Sequence, residues 1–237
     1  MLISVIMPYF RKEKYIFSSV KSVLNQSYKK FELILVDDEV TESPSKILKK
    51  IQFLDKRIIL LKNKKNLGAG LSRNKAIIRS RGKYIAFIDA DDIWKKDKLK
   101  IQLNFMERIS SKISHTSYII HQNNRPQKIK KARKLNFKDL LHNCDIGLST
   151  VMINKKLIKN IKFPSIKTKE DYILWLKITK KGISVDALNK QLTLWNDTQN
   201  SLSSSTLQKL ADGYKVYRKY LKLNFITSLY YISCLSL

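Results

Sequence analysis

Four short apolar runs, each leading toward a segment of helical period or a polar loop, fill residues 1–88 and restrict this chain to the α/β class. Residues 3–7, 31–36 ("FELILV"), 57–61 and 83–88 read as buried strands. Between them, Ile16, Phe17, Val20, Val23 and Leu24 recur at helical spacing. "SPSKILKKI" opens a second helix with Ser43 as N-cap and Pro44 at the first helical position. "LGAGLSRNKAIIRSRG" makes a third, which Gly82 can terminate. Alternating strands and helices imply parallel pairing through right-handed crossovers, and such sheets bind ligands outside the carboxyl ends of their strands. Here those ends deliver Pro8-Tyr9, Asp37-Asp38 and Asp89-Ala90-Asp91-Asp92.

The remainder is less regular. The pattern predicts a helix over 99–109, a strand over 115–121 and a polar, basic loop over 122–134. A short helix over 137–142 and a strand over 148–153 follow. A helix starts near Thr168 and ends at Gly182, and a strand covers 191–195. The serine-rich "NDTQNSLSSST" reads as a flexible connection to a basic helix over 206–220, with Leu207, Leu210, Tyr214 and Tyr217 as its buried stripe. The segment "LKLNFITSLYYISCLSL" carries Lys222 and Asn224 among its apolar residues, so it reads as an interfacial or partner-binding helix and not as a span.

Charge narrows the partners. Forty-seven Lys and Arg against 19 Asp and Glu give a formal net charge of +28, which favours contact with a polyanionic surface. The lysines are spread along the chain, so nucleic acid is not expected as a partner, a non-enzymatic nucleic-acid-binding protein stands only as the third reading, and contact with an anionic membrane is expected. Cys144 and Cys234 lie far apart, and no signal-peptide pattern opens the sequence; a reduced, cytoplasmic protein is expected. His115, His121 and His142 show no zinc-ligand spacing.

Against this background three acidic groups stand out. The cluster "DADD" would repel itself unless a cation or strong donors were present, although an exposed turn after a strand is the alternative. Mg²⁺ or Mn²⁺ needs one or two carboxylates and completes its shell with water and phosphates. Asp37-Asp38 at the same sheet edge favours the metal reading. Arg73 could reach a phosphate, ribose or base from its helix, or be a surface arginine. Glu170-Asp171 could supply a general base or simply favour a helix N-terminus.

Together, "SVIMPYFRKEKYIFSSVKSVLNQSYKKFELILVDDEVTES", "NLGAGLSRNKAIIRSRGKYIAFIDADDIW" and "KEDYILWLKI" closely resemble the inverting family 2 glycosyltransferases of the GT-A fold, over about residues 2–180. The resemblance implies a Rossmann-like, mostly parallel central sheet flanked by helices, with a smaller mixed acceptor-side half and C-terminal helices. It divides the chain into a domain over 1–200 (nucleotide-sugar half 1–98, acceptor-side half 99–200) and a basic, apolar helical tail over 201–237. It implies a metal-dependent hexosyl- or N-acetylhexosaminyltransferase moving sugar from a nucleotide-sugar, foremost a UDP-sugar. The acceptor is a hydroxyl of a growing cell-surface glycan (lipopolysaccharide, lipooligosaccharide, capsule or another polysaccharide) or glycolipid; the alternative is a polyprenyl-phosphate acceptor. By the same resemblance Pro8, Tyr9, Asp37, Asp38, Arg73, Asp89 and Asp91 bind the nucleotide, and Asp92 and Asp91 hold Mn²⁺ or Mg²⁺. Asp171 is the catalytic base beside Glu170, and the enzyme works peripherally at the inner face of the cytoplasmic membrane. Two stretches depart from the family pattern: Glu39-Val40-Thr41-Glu42 replaces glycine-serine-threonine, and Trp195-Asn196-Asp197 replaces a tyrosine-arginine-histidine loop.

Overall fold

The computed structural model describes residues 1–40, 46–122, 125–197 and 206–236. Its first half is the predicted alternation. Strands β1 (Ile3–Tyr9), β2 (Phe31–Asp37), β3 (Ile58–Lys62) and β4 (Tyr84–Phe87) pair in parallel in the order β3-β2-β1-β4. Helices α1 (Glu13–Leu24), α2 (Lys46–Gln52) and α3 (Ala69–Arg79) connect them. Every residue of β1 and β2 is buried, because both sheet faces are covered and the strand period of two serves two cores. Ile3, Val5 and Met7 meet Ile16, Val20 and Val23 of α1 on one face. Ile6, Ile34 and Val36 meet the other core.

The chain continues through β5 (Ile93–Trp94), α4 (Lys98–Arg108), β6 (Ile113–Gln122), β7 (Arg125–Lys130), α5 (Phe137–His142), β8 (Met152–Asn154) and α6 (Lys155–Ile158). Then come α7 (Glu170–Thr179), β9 (Asp186–Asn196), α8 (Thr206–Lys215) and α9 (Phe225–Ser236). These strands extend the sheet to nine, in the order β3-β2-β1-β4-β8-β6-β9-β5 with β7 on β6. Here pairing is mixed: β8 runs antiparallel between β4 and β6, β9 parallel to β6, and β5 antiparallel to β9.

Several local expectations need correction. Residues 125–130 of the expected loop form β7, an edge strand antiparallel to β6 whose exposed residues hide its period. The strand expected over 148–153 is a 3₁₀ turn, Leu148–Thr150, followed by the shorter β8. Gly82 does not terminate α3, which ends at Arg79; a Cβ there would lie 2.5 Å from the Ser4 nitrogen, so glycine permits close backbone approach. In α8 and the π turn Val216–Tyr220, Leu210 is 39% exposed, whereas Asp212, Val216 and Tyr217 are buried. The Ser43 cap, Pro44 and most of the serine-rich connection lie outside the described residues, as does the Leu207 side chain.

The C-terminal helices share the second core. Val216, Tyr217 and Leu221 belong to the same buried cluster as Tyr172 and Trp175 of α7. The Tyr217 hydroxyl donates to the Leu141 carbonyl at 2.9 Å and lies 3.0 Å from the Tyr172 hydroxyl. Among the described residues no helix is long and apolar enough to cross a membrane.

Candidate active site

A cavity of about 600 Å³ opens at the carboxyl ends of β1, β2 and β4 and is closed on its far side by the start of α7. Pro8, Tyr9, Asp38, Arg73, Asp89, Asp91, Glu170 and Asp171 all line it, although they come from distant parts of the chain. Asp37 and Asp92 do not line it. Asp37 is buried, and its Oδ1 accepts the Glu39 amide at 3.1 Å.

Asp38 shapes the cavity wall at the end of β2. Its carboxylate accepts from Asn63 Nδ2 at 2.7 Å and from the Leu67 and Gly68 amides, each at 2.8 Å. These bonds fold the turn that launches α3 against the end of β2. Beyond that turn Gly70 lets α3 approach α7: a Cβ there would sit 3.0 Å from the Pro164 carbonyl oxygen and 3.1 Å from Glu170 Cγ.

That approach lets Arg73 bridge the site. Its Nη1 donates to Glu170 Oε1 and its Nη2 to Asp89 Oδ1, both at 2.7 Å. Burial alone would favour the neutral guanidine, but Asp89 and Glu170 outweigh it and raise the pKa further, so the group stays charged. The surface-arginine alternative therefore fails: Arg73 is buried.

The acidic cluster divides into distinct roles. Asp89 takes Arg73, and Asp91 pairs with Lys12 at 2.7 Å. Burial, then repulsion from Asp89, raises the Asp91 pKa against the pull of Lys12. Asp92 is buried behind the cavity; its Oδ1 accepts the Asn196 amide at 3.0 Å and its Oδ2 has no hydrogen-bond partner. Burial, then Asp89 and Asp91, holds its pKa well above the usual carboxylate range. Among the described residues no group of three or more His, Cys, Asp and Glu converges to hold a metal unaided. Asp91 nevertheless fits a hard cation, which can take one carboxylate and fill its shell with phosphate oxygens and water.

Opposite the cluster, Asp171 opens α7. Burial, then the Glu170 charge, pushes its pKa up to about 6, with Arg73 pulling the other way. One carboxylate oxygen accepts the Tyr172 amide at 2.7 Å. The preceding Lys169 is left-handed, φ 67°, which turns the chain sharply into the helix. Asp212 of α8 holds this turn: its Oδ2 accepts the Thr168 hydroxyl at 2.9 Å and the Thr168 amide at 3.2 Å.

The sequence patterns did not single out Lys12, Lys167, Lys169, Asn196 or Trp195 as cavity residues, yet all line it. Lys12 follows the end of β1 by three positions, and Lys167 and Lys169 precede Glu170 by three positions and one; position beside a named motif was the available signal. Of the two departing stretches, Asn196 braces the acidic cluster, donating its side-chain amide to the Asp91 carbonyl. Glu39 accepts the Arg11 amide at 3.0 Å in a separate pocket that shares Phe10 and Asn66 with the cavity, and burial, then Glu13 and Asp37, raises its pKa.

The family model described as glycosyl transferase family 2 matches residues 4–168. TuaG of Bacillus subtilis, named for teichuronic acid biosynthesis, is 38% identical over 95% of this chain and 90% of its own length. WfgD of Escherichia coli is named a UDP-Glc:α-D-GlcNAc-diphosphoundecaprenol β-1,3-glucosyltransferase; it is 34% identical over 98% of this chain and 90% of its own. Among solved structures, S. aureus TarS 1-349 in complex with UDP-GlcNAc superposes with a TM-score of 0.76 at 24% identity. That match covers 93% of this chain and 65% of the TarS chain, and it shows a shared fold.

Proposed function

The chain belongs to glycosyl transferase family 2, and from that premise we propose that it is an inverting transferase that moves sugar from a UDP-sugar to a hydroxyl of a cell-surface glycan. One observation carries this reading: Arg73 ties the Asp89 side of the cavity to the Glu170-Asp171 side, so a donor-phosphate region and a proton acceptor face one space. The names of TuaG and WfgD support the glycan acceptor, and that of WfgD supports both a UDP-linked donor and a glycan carried on a lipid diphosphate. An enzyme with such an acceptor works at the inner face of the cytoplasmic membrane.

In the proposed mechanism, Pro8, Tyr9 and the Asp38-braced turn border the nucleotide, and Asp89 lies toward its ribose and phosphates. Lys12 and Asp91 flank the diphosphate. Asp91 would hold Mn²⁺ or Mg²⁺, which supplies Lewis-acid neutralisation of the leaving diphosphate when bound. Asp92 is not assigned to the metal, because it is buried and does not line the cavity. Asp171, ionised at neutral pH by virtue of its pKa near 6, takes the acceptor hydroxyl proton. The acceptor oxygen bonds to the anomeric carbon as the bond to the nucleoside diphosphate breaks on the opposite face. One displacement inverts the configuration.

Thermal shifts with UDP-, GDP-, CMP- and dTDP-sugars, each with Mn²⁺, Mg²⁺ or EDTA, test the donor and metal together. A UDP-sugar at 100 times its Kd stabilises by about 2.7 kcal/mol, or roughly 5–11 °C for a protein of this size. The metal-dependent part should vanish in Asp91→Asn and persist in Asp92→Asn. Equal shifts for all nucleotides, or selection of another nucleotide, would overturn the donor assignment.

A further inference from the structure

The outer face of α9 is left uncovered by the rest of the described fold. Phe225, Ile226, Leu229 and Tyr230 are 57, 79, 47 and 55% exposed. Their spacing of i, i+1, i+4 and i+5 gathers them on one side of the helix. The opposite side is anchored: Ser228 is buried, while Tyr231, Ile232 and Leu235 pack against the second core. Tyr231 stacks on Tyr217, ring centroids 5.5 Å apart. The exposed apolar face is therefore presented by a docked helix, and its size exceeds scattered surface apolar residues.

Exposed basic side chains lead into this helix. Arg218 and Lys219 lie in the π turn and Lys222 in the connection to α9, and the sequence contains no Asp or Glu after Asp212. We propose that the outer face of α9, with Arg218, Lys219 and Lys222, is a docking surface for an anionic lipid bilayer. This deepens the membrane location in the reading above and rests on it only for that location.

Three observations select this occupant. The exposed apolar side chains of α9 gather on one side while the other side packs on the core, the arrangement of a helix lying in the plane of the interface. The basic side chains leading into it match anionic headgroups, whereas a symmetric contact with a second copy would bring like charges together. Tyr230 is also suited to the interface, with an apolar ring and a polar tip. Docking would have a geometric consequence. Tyr231 stacks on Tyr217, the Tyr217 hydroxyl lies 3.0 Å from that of Tyr172, and Tyr172 follows Asp171, so this packed series fixes the cavity wall relative to the bilayer.

Flotation of the full chain with vesicles tests the surface directly. The wild type should float with equimolar phosphatidylglycerol and phosphatidylcholine, and at least tenfold less with phosphatidylcholine alone or at 0.5 M NaCl. Ile226→Glu/Leu229→Glu and, independently, Lys219→Gln/Lys222→Gln should each lower flotation at least tenfold while leaving the melting temperature and the UDP-sugar shift unchanged. Those two readouts separate failure of the docking surface from failure of the transferase reading. Wild-type flotation unaffected by either double substitution would overturn the proposal. So would a concentration-dependent dimer that the apolar-face variant converts to monomer, since a second copy would then occupy the face.

Discussion

Replacing Arg73 with methionine should separate the two halves of the site. Methionine keeps much of the side-chain length and removes the charge. Arg73 is 4% exposed, and its two contacts at 2.7 Å reach Glu170, 13% exposed, and Asp89, 34% exposed. Removing one member of a buried ionic group costs about 3–5 kcal/mol, because the remaining charges lose their partner. Asp89 can be rehydrated, which places the expected loss near 3 kcal/mol. That corresponds to a fall in Tm of about 6–12 °C for a protein of this size.

The same substitution has a signed effect on pH dependence. Asp171 works as the base only when ionised, so transfer rises with pH through its pKa near 6. Arg73 lowers that pKa, whereas burial and Glu170 raise it. Without Arg73 the pKa moves up, and the acidic limb of the rate profile moves to higher pH. Release of the nucleoside diphosphate, measured from pH 5 to 9, should therefore fall more at pH 6 than at pH 9. Arg73→Lys keeps a charge but cannot reproduce the two-armed geometry, so its limb should lie between those of wild type and Arg73→Met. An unmoved limb, or one displaced to lower pH, would refute the coupling of Arg73 to Asp171.

Two other substitutions address α7. Asp171→Asn should lower transfer 10²- to 10⁴-fold and leave the UDP-sugar thermal shift intact; activity within tenfold of wild type would reject Asp171 as base. Asp212→Ala should leave the Thr168 amide and hydroxyl without their acceptor, costing about 1–3 kcal/mol. It should lower kcat more than donor affinity, and Asp212→Asn, which retains an acceptor oxygen, should recover most of the loss. Equal kinetic defects in the two Asp212 variants would argue against this hydrogen-bonded support.

The sheet edge was readable because its strands are buried on both faces. Double burial made β1 and β2 continuous apolar runs, and the carboxylates had to emerge at their ends. The same logic failed for β7, whose exposed residues carry almost no apolar period, and found only the 191–195 end of β9, whose register shifts against β6 break the pattern. The GT-A resemblance added the order of the site residues, but the Asp212 support comes from a helix beyond the quoted motifs.

Which member of each acidic pair faces the cavity was a harder question than where the acid lies. Asp37 and Asp38 are neighbours, as are Asp91 and Asp92, yet only Asp38 and Asp91 line the cavity. At the end of β2 extended backbone sends successive side chains in opposite directions, whereas Asp91 lies in a turn that the Asp92 amide closes on the Asp89 carbonyl at 3.1 Å. The inward member then needs partners from elsewhere in the chain. For Asp92 that partner is the amide of Asn196, at the end of β9 and 104 residues away. The outward member keeps access to substrate: Asp91 meets Lys12, itself on the cavity wall. Identical carboxyl groups thus take different work from backbone direction and long-range pairing. The resemblance assigned both Asp91 and Asp92 to the metal, whereas this geometry favours Asp91 and makes Asp92 a brace between the acidic cluster and β9.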